Sequence, residues 1–308
     1  METIRVFSPA TVANVSCGFD ALGFALETLG DEMVFQKKTE KQIEITHIEG
    51  ASLPFETHKN AAGVVAQLML EQQEFPFGVH IEIYKKYKPG SGLGSSAASS
   101  AGAAFAINEL LGKPYSLLEL VQFARKGEAA ACGSPIADNV AANLYGGFIL
   151  VRSYTPLQIV SLPTPPLLYA TVIHPQIEIK TEDARNVLPK EVPLKKAVQQ
   201  WANVGGLISG LYEANYERIG KSLQDVIVEP YRKTLIPNFD ALQRAALEAG
   251  ALGAGISGSG PSVFALSKGG EAAQKAAKAF REVYEPSGIK FQVYVSPIAK
   301  EGTRIIKG

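Results

Sequence analysis

Cysteine and histidine are scarce in this sequence. Only Cys17 and Cys132 occur among 308 residues, and the four histidines form no pair at the spacing of metal ligands. A disulfide framework needs several cysteines, and a zinc site needs clustered cysteine or histidine ligands. The sequence therefore argues against both, and we expect two reduced thiols.

An excess of charge of either sign is also absent. Thirty basic and thirty acidic residues cancel, and no run rich in lysine or arginine occurs. A protein that binds nucleic acid normally carries a broad positive field. The charge balance therefore disfavours nucleic acid as a partner and favours a small molecule.

Long hydrophobic runs are missing as well. No stretch approaches the roughly 18 apolar residues that a membrane-spanning helix needs, and the N-terminal METIRVFSPA lacks the apolar run of a signal segment. We therefore expect a cytoplasmic protein without a membrane partner. With 308 residues, 46% of them hydrophobic, the chain is long enough for one large or two ordinary domains.

What the sequence does contain is a tract of very small residues. Residues 88–104 read KPGSGLGSSAASSAGAA, in which Leu93 is the only residue after position 89 that is not glycine, alanine or serine. The preceding residues 79–85 alternate with the two-residue period of a strand, and residues 105–111 continue a helical pattern. The tract is therefore predicted to join a strand to a helix rather than to form a flexible linker.

This strand-to-helix junction has the composition of a phosphate-binding loop. Gly90, Gly92 and Gly94 can adopt positive φ angles, and Ser95 or Ser96 can cap the following helix. The start of a helix offers unpaired N–H groups and the positive end of its dipole to an anion. The alternative is a turn whose small residues only permit close packing.

Alternating and helical patterns predict an α+β protein. Four prolines between residues 163 and 175 mark the best domain boundary, since X-Pro units resist helix and central strand. We therefore predict domains at residues 1–163 and 164–308. The predicted strands are 4–7, 33–37, 43–48, 79–85, 147–152, 168–173, 262–267 and 290–295. The predicted helices are 60–73, 95–111 and 116–131, several between 182 and 249, and one ending near 283.

Three glycine motifs match nucleotide-binding fingerprints only by letter. GLGSSA at 92–97 follows an alternating strand and precedes two helices, whereas the dinucleotide fold needs a buried parallel strand and a second strand after one helix. GAGISG at 253–258 lies between a helix and a strand, which is the reverse order. The GKS at 220–222 lacks the first glycine of a P-loop. We reject all three as such motifs.

Three small-residue segments together resemble the signature of the GHMP small-molecule kinases. They are SPATVANVSCGFD at 8–20, PGSGLGSSAA at 89–98 and GAGISGSGP at 253–261. Three further segments make the chain similar to the homoserine kinase family: GSPIADN at 133–139, KTEDAR at 180–185 and VEPYRKTLIP at 228–237. Because these segments span most of the chain, the resemblance is far more specific than any single glycine motif.

The resemblance implies a fold and a reaction. The fold would be an N-terminal α+β domain like one of a ribosomal protein, followed by a ferredoxin-like α+β domain. The reaction would be transfer of the γ-phosphoryl group of ATP to the side-chain hydroxyl of L-homoserine. ATP would contact Asn60 near the adenine and, along the loop, Pro89, Gly90, Ser91, Gly92, Leu93, Gly94, Ser95, Ser96, Ala97 and Ala98.

The resemblance also implies a Mg²⁺ ion held by few protein atoms. Mg²⁺ prefers oxygen ligands and keeps several waters, so one carboxylate and one hydroxyl beside the phosphates suffice. The matched positions are Glu128 and a serine at the helix start, Ser96 or Ser95. The alternative for Glu128 is an ordinary solvated helix residue.

A zwitterionic acceptor requires groups of both charges. By resemblance, Arg185 and Arg232 would bind the carboxylate, which the planar guanidinium suits better than a lysine does, and Asp20 the ammonium. Hydrogen-bonding neighbours would be Asn14, Asn139 and Thr181. Asn139, Arg185 and Arg232 are the predicted catalytic residues, with surface ion pairs as the alternative for either arginine.

Several points stay open at the level of sequence. Asp138 or Asp20 could accept the hydroxyl proton, although homoserine kinases are thought to need no dedicated base. Ile136 stands where the family would have a histidine, which puts substrate recognition in question. A kinase for another small alcohol, such as mevalonate or shikimate, and a non-catalytic nucleotide-binding regulator are the rival functions. The family resemblance leaves a homodimer open, but the sequence indicates no interface.

Overall fold

The computed structural model describes residues 2–133, 135–179 and 181–307. Seven strands of these residues form a first sheet. They are β1 (Thr3–Ala13), β2 (Leu22–Lys38), β3 (Ile43–Glu49), β4 (Gly78–Tyr84), β5 (Phe148–Tyr154), β6 (Leu157–Leu162) and β11 (Arg304–Ile305). The order is β11-β1-β2-β4-β3, with β5 paired to β2 and β6 to β5. Only β3 and β4 pair in parallel, and the helix α1 (Ala61–Gln72) connects them.

Four helices cover the buried face of the first sheet. Besides α1 they are α2 (Ser95–Leu110), α3 (Leu117–Cys132) and α4 (Asp138–Tyr145). The small residues of α2 allow it to lie very close to the sheet, since a Cβ on Gly102 would be 1.9 Å from the terminal methyl of Met33. The helix predicted at this tract is confirmed, and its small residues permit this close packing.

The N-terminal ends of α1 and α3 follow from local sequence. Asn60 caps α1, because its side-chain oxygen accepts a hydrogen bond from the Ala62 amide at 3.0 Å. Ser116 and Glu119 form a reciprocal capping box at the start of α3. Such caps satisfy amide groups that have no partner within the helix.

The second sheet contains strands from the C-terminal half. They are β7 (Leu168–Pro175), β8 (Gly253–Ile256), β9 (Val263–Lys268) and β10 (Phe291–Pro297), in the antiparallel order β10-β7-β9-β8. Its helices are α5 (Thr181–Asn186), α6 (Leu194–Tyr212), α7 (Tyr216–Ser222), α8 (Glu229–Arg232), α9 (Phe239–Glu248) and α10 (Gly270–Tyr284). The predicted α+β class is confirmed.

The two sheets share a hydrophobic core. Phe24 of β2 packs edge-on against Phe264 of β9 with ring centroids 5.9 Å apart. Leu26 forms an isolated bridge with Ile298, which extends the contact along β2. Residues 163–167 link β6 to β7 as the prolines suggested, and the domain division there stays a prediction.

Some elements escaped the sequence patterns. The strand predicted at 33–37 is β2, which begins at Leu22 because its first residues are buried on both faces and do not alternate. The sequence patterns also missed β6, β8, β11 and α4. Among the described residues, no helix combines the length and apolar character needed to cross a bilayer.

Candidate active site

The loop between β4 and α2 is shaped by glycines that other residues could not replace. Gly92 and Gly94 have φ angles of 79° and 65°. A Cβ on Gly92 would lie 2.6 Å from the Ser257 carbonyl oxygen, and one on Gly94 would lie 2.2 Å from Thr11 Oγ1. Gly90 differs, because a Cβ there would meet nothing within 4 Å. The loop is therefore packed tightly on one side and open on the other.

The open side leads to the first turn of α2. The N-cap position is Gly94 in the left-handed conformation, and no side chain caps the helix. The prediction that Ser95 or Ser96 would be the cap is therefore wrong, since both lie inside the helix. The first amides of a helix have no intrahelical partner, so this uncapped start can donate hydrogen bonds from its free N–H groups to the oxygens of an anion. That arrangement fits a phosphate group.

A buried ion pair contacts this first turn of α2. Lys85 directly follows β4, and its Nζ contacts Asp31 Oδ2 of β2. The same ammonium donates to the Ser95 carbonyl oxygen at 2.8 Å and to Ser99 Oγ at 3.3 Å. Burial raises the pKa of Asp31 above its ordinary value, and the attraction of Lys85 partly offsets this. Neither residue was identified from the sequence.

The second half of the chain closes over the loop. Ser257 donates its hydroxyl to the Gly92 carbonyl oxygen at 2.7 Å, and the Gly258 amide donates to the Ala13 carbonyl oxygen at 3.1 Å. Asn14 in turn donates its side-chain amide to the Gly258 carbonyl oxygen at 2.7 Å. The segment 253–261 therefore lies against both other small-residue segments.

A single cavity of about 610 Å³ brings most of the predicted site residues together. Its volume is in the range of small-molecule sites. The predicted residues that line it are Asn14, Asp20, Asn60, Pro89, Gly90, Gly92, Gly94, Ser95, Ser96, Glu128, Asn139, Arg185 and Arg232.

Five predicted residues are not among those that line the cavity. Ser91, Leu93, Ala97 and Ala98 are buried, and Leu93 and Ala98 belong to the core shared by the two sheets. These four therefore offer main-chain groups rather than side chains. The side chain of Thr181 lies outside what the structure describes.

One end of the cavity holds the groups suited to a metal ion. Glu128 on α3 is buried, and Ser96 on α2 is partly exposed. No cluster of three or more ionisable metal ligands occurs among the described residues. One carboxylate and one hydroxyl beside an anion-binding helix start nevertheless fit Mg²⁺, which takes its other ligands from phosphates and water.

Asn60 lies at the same end but its amide is already engaged. The side chain caps α1 and also donates to the Pro54 carbonyl oxygen at 2.9 Å. Leu53 and Pro54 line the cavity beside it and offer apolar surface. The Asn60 side chain therefore holds the wall at residues 53–54 in place.

At the other end of the cavity, Arg232 is buried without a carboxylate partner among the residues that the structure describes. Its guanidinium donates to the carbonyl oxygens of Ala184 at 2.8 Å and Gly258 at 3.1 Å, and lies 4.9 Å from the ring centre of Phe19. Burial, assisted by repulsion from Arg185, lowers the pKa of Arg232 to about 10. A buried cation of this kind favours an anionic ligand.

Arg185 and Asp20 form an ion pair beside it. Arg185 Nη2 lies 3.1 Å from Asp20 Oδ1 and 3.2 Å from Oδ2. Asn14 fixes the acidic residue, because its side-chain oxygen accepts the Asp20 amide at 3.0 Å. The site therefore presents positive and negative groups within one small region.

Asp138 and Asn139 begin α4 and line the cavity. Asp138 is buried, which together with repulsion from Asp20 raises its pKa to about 7. Asn139 uses its side-chain oxygen to accept the Thr11 hydroxyl at 2.7 Å. Ile136 also lines the cavity and brings an apolar contact to this region.

Tyr154 does not line the cavity, but it holds two of the segments that do, and sequence reasoning missed it. Its hydroxyl donates to the Asp20 carbonyl oxygen at 3.0 Å and accepts the Ala137 amide at 3.3 Å. It thereby ties two segments that are distant in sequence, and a tyrosine near the end of a strand gives no local signal of this role.

Comparison with known proteins agrees with this geometry. The family models for the N-terminal domain and the C-terminal region of GHMP kinases match residues 59–147 and 207–286. A mevalonate kinase of L. major, in complex with R-mevalonate, superposes with a TM-score of 0.72 over 95% of both chains. Its identity of 18% shows a common fold alone.

More similar proteins share one name. A homoserine kinase of Chlorobium phaeobacteroides is 46% identical over 320 aligned residues, covering 99% of this chain and 100% of that protein. A homoserine kinase of Pyrococcus abyssi is 38% identical over 95% of this chain and 96% of that protein. The crystal structure of homoserine kinase from Cytophaga hutchinsonii superposes with a TM-score of 0.96 at 52% identity, covering 99% and 98% of the two chains. The chain therefore belongs to the homoserine kinase family of the GHMP kinases.

Proposed function

We propose that this protein transfers the γ-phosphoryl group of ATP to the side-chain hydroxyl of L-homoserine, giving O-phospho-L-homoserine for threonine biosynthesis. The observation that carries the proposal is Arg232, a buried guanidinium that shares a cavity with the uncapped start of α2. One end of the cavity suits polyphosphate and the other suits an amino-acid carboxylate.

The nucleotide is assigned to the first-sheet end of the cavity. Free amides at the start of α2 bind phosphate oxygens, and Gly90 leaves the main chain accessible. Residues 53–54 and Asn60 contact the adenine. Glu128 and Ser96 hold Mg²⁺, which neutralises negative charge on the phosphates when bound.

Homoserine is assigned to the end where the second half of the chain closes over the first. Arg185 and Arg232 bind its carboxylate, and Asp20 binds its ammonium group. Asn14, Asn139 and Thr181 orient the acceptor, while Ile136 contacts its methylene groups.

Phosphoryl transfer depends mainly on alignment and charge neutralisation, so this arrangement needs no dedicated base. Asn139 cannot accept a proton usefully near neutral pH, and the hydroxyl proton passes to a phosphate oxygen during transfer. Asp138 then has a structural role in positioning α4. We further propose two domains, at residues 1–163 and 164–308, and a cytoplasmic location.

Two rival functions make different demands on the site. If the substrate were mevalonate or shikimate, it would bring no ammonium group to pair with Asp20. A nucleotide-binding regulator would bind ATP without releasing ADP in the presence of any acceptor.

A coupled ADP-release assay with homoserine, mevalonate, shikimate and galactose tests the proposal. We expect turnover with homoserine alone and a phosphorylated product by ³¹P NMR. Turnover only with another alcohol, or none with any, would overturn the assignment.

Variants of Arg232 connect the assay to the site. Losing a charge-assisted hydrogen bond costs about 1.5–3 kcal/mol, so Arg232→Met should raise KM for homoserine about 10- to 100-fold. KM for ATP should change little. Arg232→Lys keeps the charge without the planar guanidinium and should recover only part of the loss. Arg244→Met, at an exposed position of α9, is the matched control.

A further inference from the structure

Two guanidinium groups lie over the ring of Phe19. The central carbon of the Arg232 guanidinium is 4.9 Å from the ring centre, and that of Arg185 is 5.7 Å from it. Both distances are within the range of a cation–π contact. Among the residues that the structure describes, every other ring in such a contact has a single cationic partner. Phe19 therefore joins two cations that line the same cavity.

The turn that carries Phe19 is fixed by its main chain. The Gly18 amide donates to the Asn14 carbonyl oxygen at 2.9 Å, and the Gly18 carbonyl oxygen accepts the Leu22 amide at 2.8 Å. A Cβ on Gly18 would lie 2.4 Å from Leu22 Cδ1, so a larger residue would collide with this side chain. After the ring, the Asp20 amide donates to Asn14 Oδ1 at 3.0 Å. The residues on both sides of Phe19 are therefore held in place.

The two arginines are linked to each other as well as to the ring. Arg232 Nε donates to the carbonyl oxygen of Ala184, which directly precedes Arg185. Their charges nevertheless repel, and this repulsion adds to the effect of burial in lowering the pKa of Arg232 to about 10. Because the face of an aromatic ring attracts cations, Phe19 offsets part of the cost of holding both arginines at one site.

An aromatic ring suits this position better than an acidic side chain would. A carboxylate would neutralise the arginines and occupy the N–H groups that the carboxylate of a ligand needs. The ring of Phe19 attracts the cations through its face and leaves those N–H groups available. Phe19 is not among the residues that line the cavity, so it can act on a ligand only through the arginines.

We propose that Phe19 is a positioning residue that holds Arg185 and Arg232 in the arrangement that binds the carboxylate of the amino-acid acceptor. The inference rests on the proposed function, since it requires this acceptor at this end of the cavity. The contact with Arg185 matters most in the complex. Its ion-pair partner Asp20, at 3.1 Å in the structure, is assigned to the ammonium group of the acceptor. When Asp20 binds that group, the ring of Phe19 still holds Arg185.

Steady-state kinetics of Phe19 variants test the proposal. Phe19→Leu keeps an apolar side chain but removes the ring face, so it should raise KM for homoserine about 5- to 30-fold. KM for ATP and kcat should stay within about twofold, because neither the nucleotide end of the cavity nor the reacting groups are altered. Phe19→Tyr retains the ring face and should keep KM for homoserine close to the wild-type value.

Fluorinated phenylalanines incorporated at position 19 separate the electrostatic contact from packing. One, two and three ring fluorines withdraw increasing amounts of electron density from the ring face and change the size of the ring little. The logarithm of KM for homoserine should therefore rise with each added fluorine. This series also gives the answer where urea denaturation shows that Phe19→Leu does not fold.

Phe7→Leu is the matched control. The Phe7 ring is also partly exposed and lies 4.5 Å from the central carbon of the Arg304 guanidinium, but neither residue lines the cavity. This variant should keep the wild-type KM for homoserine.

The outcomes distinguish this inference from the proposed function. If wild type and the fluorinated proteins phosphorylate homoserine with equal KM, the role of Phe19 is refuted and the proposed function stands. A parallel rise of KM for ATP in the fluorinated series would also refute it. Folded wild-type protein that does not phosphorylate homoserine at all would overturn both.

Discussion

Arg185 Nη2 lies 3.1 Å from Asp20 Oδ1 and joins helix α5 of the second half to the connection between β1 and β2. The two side chains were assigned to opposite ends of the same zwitterion. Each is about one-third exposed, so the pair remains accessible to a ligand. A bound amino acid would insert between them, with its ammonium group replacing the guanidinium and its carboxylate replacing the aspartate.

This exchange predicts a selective effect of Asp20→Asn. The variant should raise KM for homoserine about 10- to 100-fold, because the ammonium group loses a charged acceptor. KM for ATP should be nearly unchanged. Steady-state kinetics with each substrate varied in turn measure both. Asp240→Asn removes an aspartate from an exposed pair with Lys233 and is the matched control. A parallel rise of both constants would argue against the assignment of Asp20.

The phosphate-binding loop could be predicted because its signals are local. The alternating strand, the glycines at 90, 92 and 94 and the helix pattern are adjacent in sequence, and each has a direct backbone consequence. The N-cap was wrong since Gly94 adopts the left-handed conformation one residue before Ser95. Local reasoning identified the strand-to-helix junction but did not identify the residue that caps the helix.

Contacts between distant segments could not be predicted from the residues alone. The Lys85–Asp31 ion pair spans 54 positions, and the Tyr154 contact with Asp20 spans 134. Such partners depend on strand order and register, which no short pattern encodes. The substrate residues were named through resemblance instead.

Asp138 should affect stability more than turnover. The pKa of Asp138 is about 7 in the folded protein, above the ordinary 3.8. Between these two pH values the folded protein keeps a proton on this carboxyl that the unfolded chain has already lost. The stability from this group is therefore full below about pH 4 and lost as pH rises toward 7. Asp138→Asn should abolish this decrease in stability with rising pH. The free energy of unfolding should therefore rise by up to about 4 kcal/mol at pH 8 and change little at pH 4. Urea denaturation at both pH values measures this.

The same variant distinguishes a base from a structural residue. A dedicated general base contributes about 100-fold or more, so its loss would be plain in kcat. We expect Asp138→Asn to keep kcat within about tenfold, since its side-chain oxygen can still accept the Asn139 amide. Glu229→Gln is a suitable comparison, because burial also raises the pKa of Glu229 to about 7. Near-total loss of turnover in folded Asp138→Asn alone would identify a base.

Gly90 and Gly112 make a matched pair for testing the phosphate-binding loop. Both have positive φ, 74° and 87°, and a Cβ on either would meet nothing within 4 Å. Alanine should therefore cost each site a similar backbone strain of about 1–2 kcal/mol. Only Gly90 lines the cavity. Gly90→Ala alone should raise KM for ATP, and equal KM values in the two variants would contradict phosphate binding at this loop.

The Lys85–Asp31 ion pair should matter for both stability and ATP binding. Lys85→Met leaves a buried carboxylate unpaired, which should cost about 3–5 kcal/mol at pH 8. Because burial already raises the pKa of Asp31 and the lysine no longer opposes this, the carboxyl takes up a proton as pH falls. The deficit should therefore shrink at pH 5.

A second substitution separates the charge from the packing. Asp31→Asn combined with Lys85→Met should cost less than the sum of the single changes, since neither partner is left charged. KM for ATP should stay raised in the double variant, because the Ser95 carbonyl oxygen at the start of α2 still lacks its ammonium donor. Lys278→Met, which breaks an exposed pair with Glu282, should cost less than about 0.5 kcal/mol. Full recovery of ATP affinity in the double variant would show that Lys85 only neutralises Asp31.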